Sequence, residues 1–129
     1  MSMSQGKSRV SDDPFLIVED DVVVSLDLEY IVARRFHGPV VAVSSVAQAR
    51  ARVSGPIRAA LLDIDVRDGT TLALAEDLRL RGVPFAFVSG SEPGSLPARL
   101  RHIPFVSKPY APDAVTRALG EILRAPVTS

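Results

Sequence analysis

Short apolar runs recur along the chain and alternate with longer segments in which apolar residues return at helical spacing. Such uniformly apolar runs are typical of parallel strands covered on both faces, because a half-exposed strand alternates polar and apolar residues. The pattern therefore predicts a parallel sheet whose strands are joined by crossover helices. The five predicted strands are FLIV (15–18), VVAV (40–43), AALL (59–62), FAFV (85–88) and PFV (104–106).

Segments of helical period fill most of the connections between these strands. They predict helices over 22–36, 46–53, 72–81 and 112–123. The connection between the fourth and fifth strands differs, because SGSEPGSLPARLRHIP (89–104) is broken by prolines and glycines and leaves about two helical turns at most. We therefore predict that the fourth helix is short or mobile.

The composition is that of one folded domain. Of the 129 residues, 47% are hydrophobic and 23% are charged, which suits a globular protein with one sizeable core. Residues 1–13 are polar and lack periodicity, so we predict a flexible N-terminal tail, a domain over 14–124 and a C-terminal tail over 125–129. Because the last segment is so short, we expect no attached output domain and a protein that acts through a partner.

Charge and cysteine content exclude several classes of function. The 15 basic and 15 acidic side chains cancel, so no overall field attracts nucleic acid, and we expect no nucleic-acid partner. No apolar run approaches the ~20 residues of a membrane span, so we expect no membrane insertion. The absence of cysteine excludes thiolate chemistry and agrees with the cytoplasm, which we take as the location.

Polar side chains that can carry chemistry follow four of the five predicted strands. In an open parallel sheet, ligands bind beyond the carboxyl ends of the strands. Each side chain also has an ordinary explanation, since aspartate caps helices, Ser-Gly forms turns and lysine is usually solvated. Their joint placement at one edge favours a functional site. The residues are Glu19, Asp20 and Asp21 after the first strand, Asp63 after the third, Ser89 after the fourth, and Lys108 and Pro109 after the fifth.

Carboxylates from two strand ends repel one another unless a cation lies between them. An all-oxygen ligand set favours Mg²⁺, with Mn²⁺ as the alternative. Beside such an ion, Asp63 can act as the nucleophile that forms an acyl phosphate, and no general base is needed because a carboxylate is ionised at neutral pH. Ser89 and Lys108 then contact the remaining phosphoryl oxygens.

Together these residues resemble the receiver domain of two-component response regulators, and the resemblance covers residues 14–124. It implies a flavodoxin-like (βα)5 fold, with a five-stranded parallel sheet of order 2-1-3-4-5 and helices on both faces. It also implies Mg²⁺-dependent phosphorylation of Asp63 by a histidine kinase or a phosphotransfer protein. The matching residues are the acidic pair, the acceptor aspartate, the hydroxyl and the Lys-Pro, that is Glu19, Asp20, Asp63, Ser89, Lys108 and Pro109.

The resemblance implies a metal-binding role for four residues. Asp20 is the implied direct ligand, and Glu19 is its neighbour acting through water. Asp63 and the backbone carbonyl of Asp65 are the further implied ligands. Asp68, which precedes Gly69, is instead predicted to belong to a turn and to take no part in the chemistry.

Three positions match the signalling part of the family pattern. Ser89 and Lys108 are implied as the switch hydroxyl and the phosphate-binding lysine, and the bond between Lys108 and Pro109 is commonly cis in this family. Phe105, three residues before the lysine, matches the aromatic switch position, for which a plain core phenylalanine is the alternative.

The sequence also departs from the family pattern. Ser89 replaces the more frequent threonine, and Arg67 stands where many receivers have proline or glycine. Asp65 adds a side-chain carboxylate beside the implied metal, which we expect to alter the dephosphorylation rate. FVSG (87–90) partly matches the Phe-Ala-Thr-Gly motif of a receiver subfamily frequent in alphaproteobacteria.

These features predict a single-domain response regulator that signals to an unidentified protein target by a conformational change, or that serves as a phosphate sink. It is not expected to be a conventional enzyme, because it catalyses only its own phosphorylation and dephosphorylation. A receiver-like interaction module that is never phosphorylated is one alternative. A haloacid-dehalogenase-type phosphatase is another, because LLDIDVRDG reads as a strand followed by Asp-x-Asp, although Arg67 occupies the position of that motif's last residue.

Overall fold

Five parallel strands form one sheet in the computed structural model, which describes residues 12–124. The predicted tails therefore lie outside the described residues, except for residues 12 and 13. The described residues contain seven strands in all, which in chain order are β1 (Phe15–Val18), β2 (Val40–Val43), β3 (Ala59–Leu62), β4 (Asp65–Val66), β5 (Gly69–Thr70), β6 (Phe85–Ser89) and β7 (Phe105–Ser107). The sheet has the order β2-β1-β3-β6-β7, and β4 and β5 form a separate antiparallel hairpin. With the hairpin left out, this is the predicted order 2-1-3-4-5.

Four α-helices connect or follow these strands, and they cover both faces of the sheet. They are α1 (Val22–Arg35), α2 (Val46–Val53), α3 (Leu72–Leu80) and α4 (Pro112–Arg124). Side chains of α1 and α4 share one core cluster, and those of α2 and α3 share the other. Strand β1 supplies both clusters, since Leu16 and Val18 belong to one and Phe15 and Ile17 to the other. Burial on both faces explains why the three central strands, β1, β3 and β6, show no polar alternation.

The connection between β6 and β7 contains no α-helix, which confirms the prediction of a short fourth helix. Two 3-10 turns, Pro93–Ser95 and Ala98–Leu100, take its place. Pro93 and Pro97 interrupt the helical hydrogen bonding, because proline has no N–H to donate. Leu96 and Leu100 are nevertheless buried, so the connection packs against the core without an α-helix.

The hairpin of β4 and β5 was not predicted, because two-residue strands are too short to produce a periodic pattern. Arg67 and Asp68 form its turn. Gly69 follows with a φ of 139°, a conformation that L side chains rarely adopt. The Asp-Gly pair thus marks a turn, as predicted, but one that closes a hairpin. Within residues 12–124, no helix has the length and apolar character needed to cross a membrane.

Candidate functional site

The register of the sheet brings the predicted site residues to one edge. Val18 and Leu62, the last residues of β1 and β3, lie opposite each other. The Asp63 N–H donates to the Val18 carbonyl over 2.9 Å, which continues the strand pairing by one residue. Glu19 and Asp63 therefore leave the sheet side by side, both almost fully buried at 2% and 8% exposure.

Three carboxylates gather at this edge. Glu19, Asp20 and Asp63 each offer an oxygen, and these oxygens lie within 4.8 Å of one another. The neighbouring Asp21 has a different task, because its Oδ1 accepts from the N–H groups of Val23 and Val24 at 2.9 and 3.2 Å and caps α1. The helix cap that the sequence permitted for Asp20 or Asp21 is thus made by Asp21. Asp20 joins the carboxylate cluster.

The cluster concentrates negative charge where water is largely excluded. Glu19 Oε2 accepts from the Asp21 N–H over 3.0 Å, whereas the buried Oε1 has only the Lys108 ammonium beside it, 2.7 Å away. Burial raises the pKa of Glu19, and the nearby Asp63 raises it further, against the lowering effect of Lys108 and the Asp21 N–H. Three hard carboxylate oxygens this close together fit a divalent cation such as Mg²⁺.

The ammonium group of Lys108 lies beside two carboxylates of this cluster. Its Nζ lies 2.7 Å from Glu19 Oε1 and donates to Asp63 Oδ2 over 3.0 Å. Burial lowers the pKa of the ammonium, but the two carboxylates outweigh this effect and the pKa of Lys108 is raised. The Lys108 N–H donates to the Ser89 carbonyl over 3.0 Å, and the following bond to Pro109 is cis.

Ser89 holds the other oxygen of Asp63. Its buried hydroxyl donates to Asp63 Oδ1 over 2.7 Å. The same Oγ accepts from the N–H groups of Ile64 and Ser91, at 3.4 and 3.3 Å. Each carboxylate oxygen of Asp63 therefore has its own side-chain donor, and the direction of the Ser89 proton is fixed by the two amides on the other side of the oxygen.

The other two predicted positions lie at the margin of the site. The Asp65 side chain is exposed and accepts from the Ser91 hydroxyl over 2.7 Å, while the metal-binding role of its carbonyl stays a prediction. Phe105 is half-buried in β7, with its ring centroid 6.1 Å from that of Phe87. This geometry suits both a core phenylalanine and a side chain that changes its exposure.

Two contacts between residues distant in sequence were not predicted. The Tyr110 hydroxyl donates to Asp27 Oδ2 over 2.7 Å and joins the segment after Pro109 to α1, while burial, and secondly this hydrogen bond, raise the pKa of Tyr110. The Asp68 carboxylate accepts from the N–H groups of Val46 and Ala47 at 2.7 and 3.1 Å and thereby joins the hairpin to α2. Local sequence patterns could not predict either contact, because each joins residues that are far apart in the chain.

An apolar stripe lies on the exposed side of α1, immediately after the site. In the part of the chain that the structure describes, its four members are 60% to 75% exposed, and the only other large apolar side chain so exposed is Leu80 on α3. Helix α1 begins one residue after Asp21, so the stripe starts at the edge of the carboxylate cluster. The members of the α1 stripe are Val22, Val23, Leu26 and Tyr30.

Solved structures with this fold include close relatives in sequence. The solution structure of SdrG from Sphingomonas melonis Fr1 is 38% identical, with a TM-score of 0.74 over 86% of this chain and 96% of that one. The BeF3-activated conformation of SdrG, from Pseudomonas melonis Fr1, is also 38% identical, with a TM-score of 0.70 over 85% and 95%. A response regulator receiver domain (CheY-like) from Methylobacillus flagellatus is 23% identical, with a TM-score of 0.71 over 87% and 99%. No protein-family model and no curated protein matches the chain.

Proposed function

This chain belongs to the CheY-like receiver domains of response regulators, and from this premise we propose that it accepts a phosphoryl group on Asp63. The donor is a histidine kinase or a phosphotransfer protein in the cytoplasm. The phosphorylated chain then signals to a protein target through a change in its surface. The observation that carries this proposal is the pair of donors on Asp63, Ser89 at 2.7 Å and Lys108 at 3.0 Å, beside two further carboxylates.

In the proposed reaction, one oxygen of Asp63 attacks the phosphorus atom of the donor. The new O–P bond forms as the P–N bond to the donor imidazole breaks, and the nitrogen keeps the bonding pair and takes up a proton. Ser89 and Lys108 turn from the carboxylate to two phosphoryl oxygens and stabilise their charge. Hydrolysis later transfers the phosphoryl group to water, which releases inorganic phosphate and restores the carboxylate.

Glu19, Asp20 and Asp63 are the side chains that would hold the Mg²⁺ or Mn²⁺ ion, together with the Asp65 carbonyl. A divalent ion bound there neutralises charge on the transferring group and on the cluster. The three carboxylate oxygens within 4.8 Å of one another support this assignment. Lys108 offers a single positive charge to three carboxylates, so the site has a net negative charge that a divalent ion offsets.

The α1 stripe supports the proposal that the phosphoryl donor is a protein. Exposed apolar side chains grouped on one helix are typical of protein interaction surfaces. Because the stripe begins directly after Asp21, a partner that covers it also stands over the entrance to the carboxylate cluster. This placement brings a phosphorylated histidine on the partner close to Asp63.

The signal is proposed to arise from the connection between β6 and β7. The Ser89 hydroxyl already bonds to the acceptor, so phosphorylation exchanges this contact for one with a phosphoryl oxygen and shifts the backbone that leads to Ser91. The two 3-10 turns that follow are held by local backbone hydrogen bonds and by the Arg101 side chain, and no α-helix or strand includes them. A local change in charge therefore shifts the population of surface conformations, including the exposure of Phe105.

The test is intact-mass analysis of the protein after incubation with acetyl phosphate and Mg²⁺. We expect the mass of one phosphoryl group on the wild-type chain and none on Asp63→Asn. The same incubation with EDTA is expected to leave the wild type unmodified. A wild type that gains no mass, or a variant that gains as much as the wild type, contradicts the assignment of Asp63.

A further inference from the structure

Thr71 directs a buried hydroxyl at the backbone of the acceptor aspartate. Its side chain is fully buried, and its Oγ1 donates to the Asp63 carbonyl over 2.7 Å. Its own N–H donates to the next carbonyl, that of Ile64, over 2.9 Å. One residue thus holds two successive carbonyls at the end of β3, although it lies beyond the hairpin at the start of α3.

Helix capping does not account for this hydroxyl. Thr71 occupies the N-cap position of α3, where a threonine side chain normally accepts from an amide of the first turn. Here the side chain makes no capping hydrogen bond. Its hydroxyl donates to the backbone carbonyl of Asp63 instead. The residue therefore forgoes the usual stabilisation of its own helix and stabilises the conformation of the backbone at the acceptor.

The consequence for the site follows from the planarity of the peptide bond. The Asp63 carbonyl and the Ile64 N–H belong to one peptide unit and point in opposite directions. A hydrogen bond that fixes the carbonyl therefore fixes the direction of the N–H, which points at Ser89 Oγ over 3.4 Å. That N–H helps to orient the Ser89 hydroxyl toward Asp63 Oδ1.

We propose that Thr71 is a positioning residue for phosphorylation, which acts by fixing the peptide between Asp63 and Ile64 and thereby aligning the acceptor with Ser89. The inference rests on the proposed function, since alignment matters only if Asp63 accepts a phosphoryl group. Thr71 itself touches neither the phosphoryl group nor the metal. Its hydroxyl is needed for the rate of phosphorylation and its methyl group for packing.

Two substitutions separate these contributions. Thr71→Val keeps the branched shape and removes the donor, whereas Thr71→Ser keeps the donor and removes a buried methyl group. We measure the rate of mass gain per folded molecule with acetyl phosphate and Mg²⁺, and the unfolding temperature of the same samples. We expect Thr71→Val to be phosphorylated more slowly by about tenfold or more. We expect Thr71→Ser to react within about twofold of the wild type in spite of a lower unfolding temperature.

Thr71→Ala provides a second comparison, because alanine and serine differ there by a single oxygen atom. If Thr71→Val does not fold, the Ala and Ser variants are compared in its place, with the same tenfold difference expected. Equal rates in the folded variants overturn the role of Thr71. The proposal is also overturned if the Ser variant folds and the Val and Ala variants do not, because the hydroxyl is then required for folding. A wild type that gains no phosphoryl group contradicts the proposed function, which is a distinguishable failure.

Discussion

The Ser89 hydroxyl donates to Asp63 Oδ1 over 2.7 Å, although the two residues are 26 positions apart. Two backbone amides donate to the same hydroxyl oxygen, so its proton is directed at the carboxylate before any phosphoryl group arrives. We expect Ser89→Ala to slow phosphorylation by acetyl phosphate by about a hundredfold, because a preorganised donor to the transition state is lost. The measurement is the rate of mass gain. Ser54→Ala, which removes an exposed hydroxyl that donates to the Ala51 carbonyl in α2, is the control.

Two adjacent aspartates at the start of α1 are expected to respond in opposite ways. Asp21 caps the helix, so Asp21→Ala should lower the free energy of unfolding by about 1 kcal/mol and leave phosphorylation largely intact. Asp20 belongs to the carboxylate cluster, so Asp20→Asn should slow phosphorylation roughly a hundredfold and weaken its dependence on Mg²⁺. Urea unfolding and mass gain over a Mg²⁺ titration measure the two effects. Similar phosphorylation rates in both variants would contradict this division of roles.

The positions of the main strands and helices were predictable because each carries a strong local pattern. FLIV, VVAV and AALL match β1, β2 and β3 residue for residue. The central strands β1 and β3 are buried on both faces, where few polar residues are tolerated, whereas the edge strand β2 is only half-buried. The placement of Glu19 and Asp63 at one edge followed from the same pattern through the geometry of parallel sheets. These parts of the fold and the candidate site depend on local sequence alone.

The remaining features depend on contacts between distant parts of the chain. The Asp-Gly pair indicated a turn, but nothing local showed that Asp68 caps α2, 22 residues earlier in the chain. Thr71 has the sequence appearance of an ordinary N-cap, and only the fold brings its hydroxyl to Asp63. Hydrogen bonds of this kind follow from the docking of elements that the sequence pattern predicts only one by one.

The contact between Asp68 and α2 gives a stability effect with a defined pH dependence. The amides of Val46 and Ala47 lower the pKa of Asp68 below its usual 3.8. A carboxyl whose pKa is lower in the folded state stabilises the fold at pH values above the unfolded pKa, and this contribution is lost as the pH falls through the folded pKa. At pH 7 we expect Asp68→Ala to lower the unfolding temperature by about 4 °C, measured by circular dichroism.

The difference in unfolding temperature between Asp68→Ala and the wild type should shrink as the pH is lowered below about 3.8. Glu92→Ala is the matched control, because Glu92 is an exposed acidic residue whose side chain makes no capping hydrogen bond. Glu92→Ala should change the unfolding temperature little, both at pH 7 and below about pH 3.8. A difference for Asp68→Ala that does not change with pH would show that the charged carboxylate is not the stabilising group.

Substitutions in the α1 stripe can distinguish docking of a protein donor from the chemistry at Asp63. Leu26 is 60% exposed and lies outside the carboxylate cluster, so Leu26→Glu should react with acetyl phosphate at the wild-type rate. Phosphotransfer from a histidine kinase that phosphorylates the wild type should fall by at least about tenfold, because a charge in the centre of an apolar contact must be desolvated. Leu80→Glu, at a 72% exposed leucine on α3, is the matched control and should keep both rates. Equal loss of kinase-dependent phosphorylation in the two variants would show that the α1 stripe is not the docking surface for the donor.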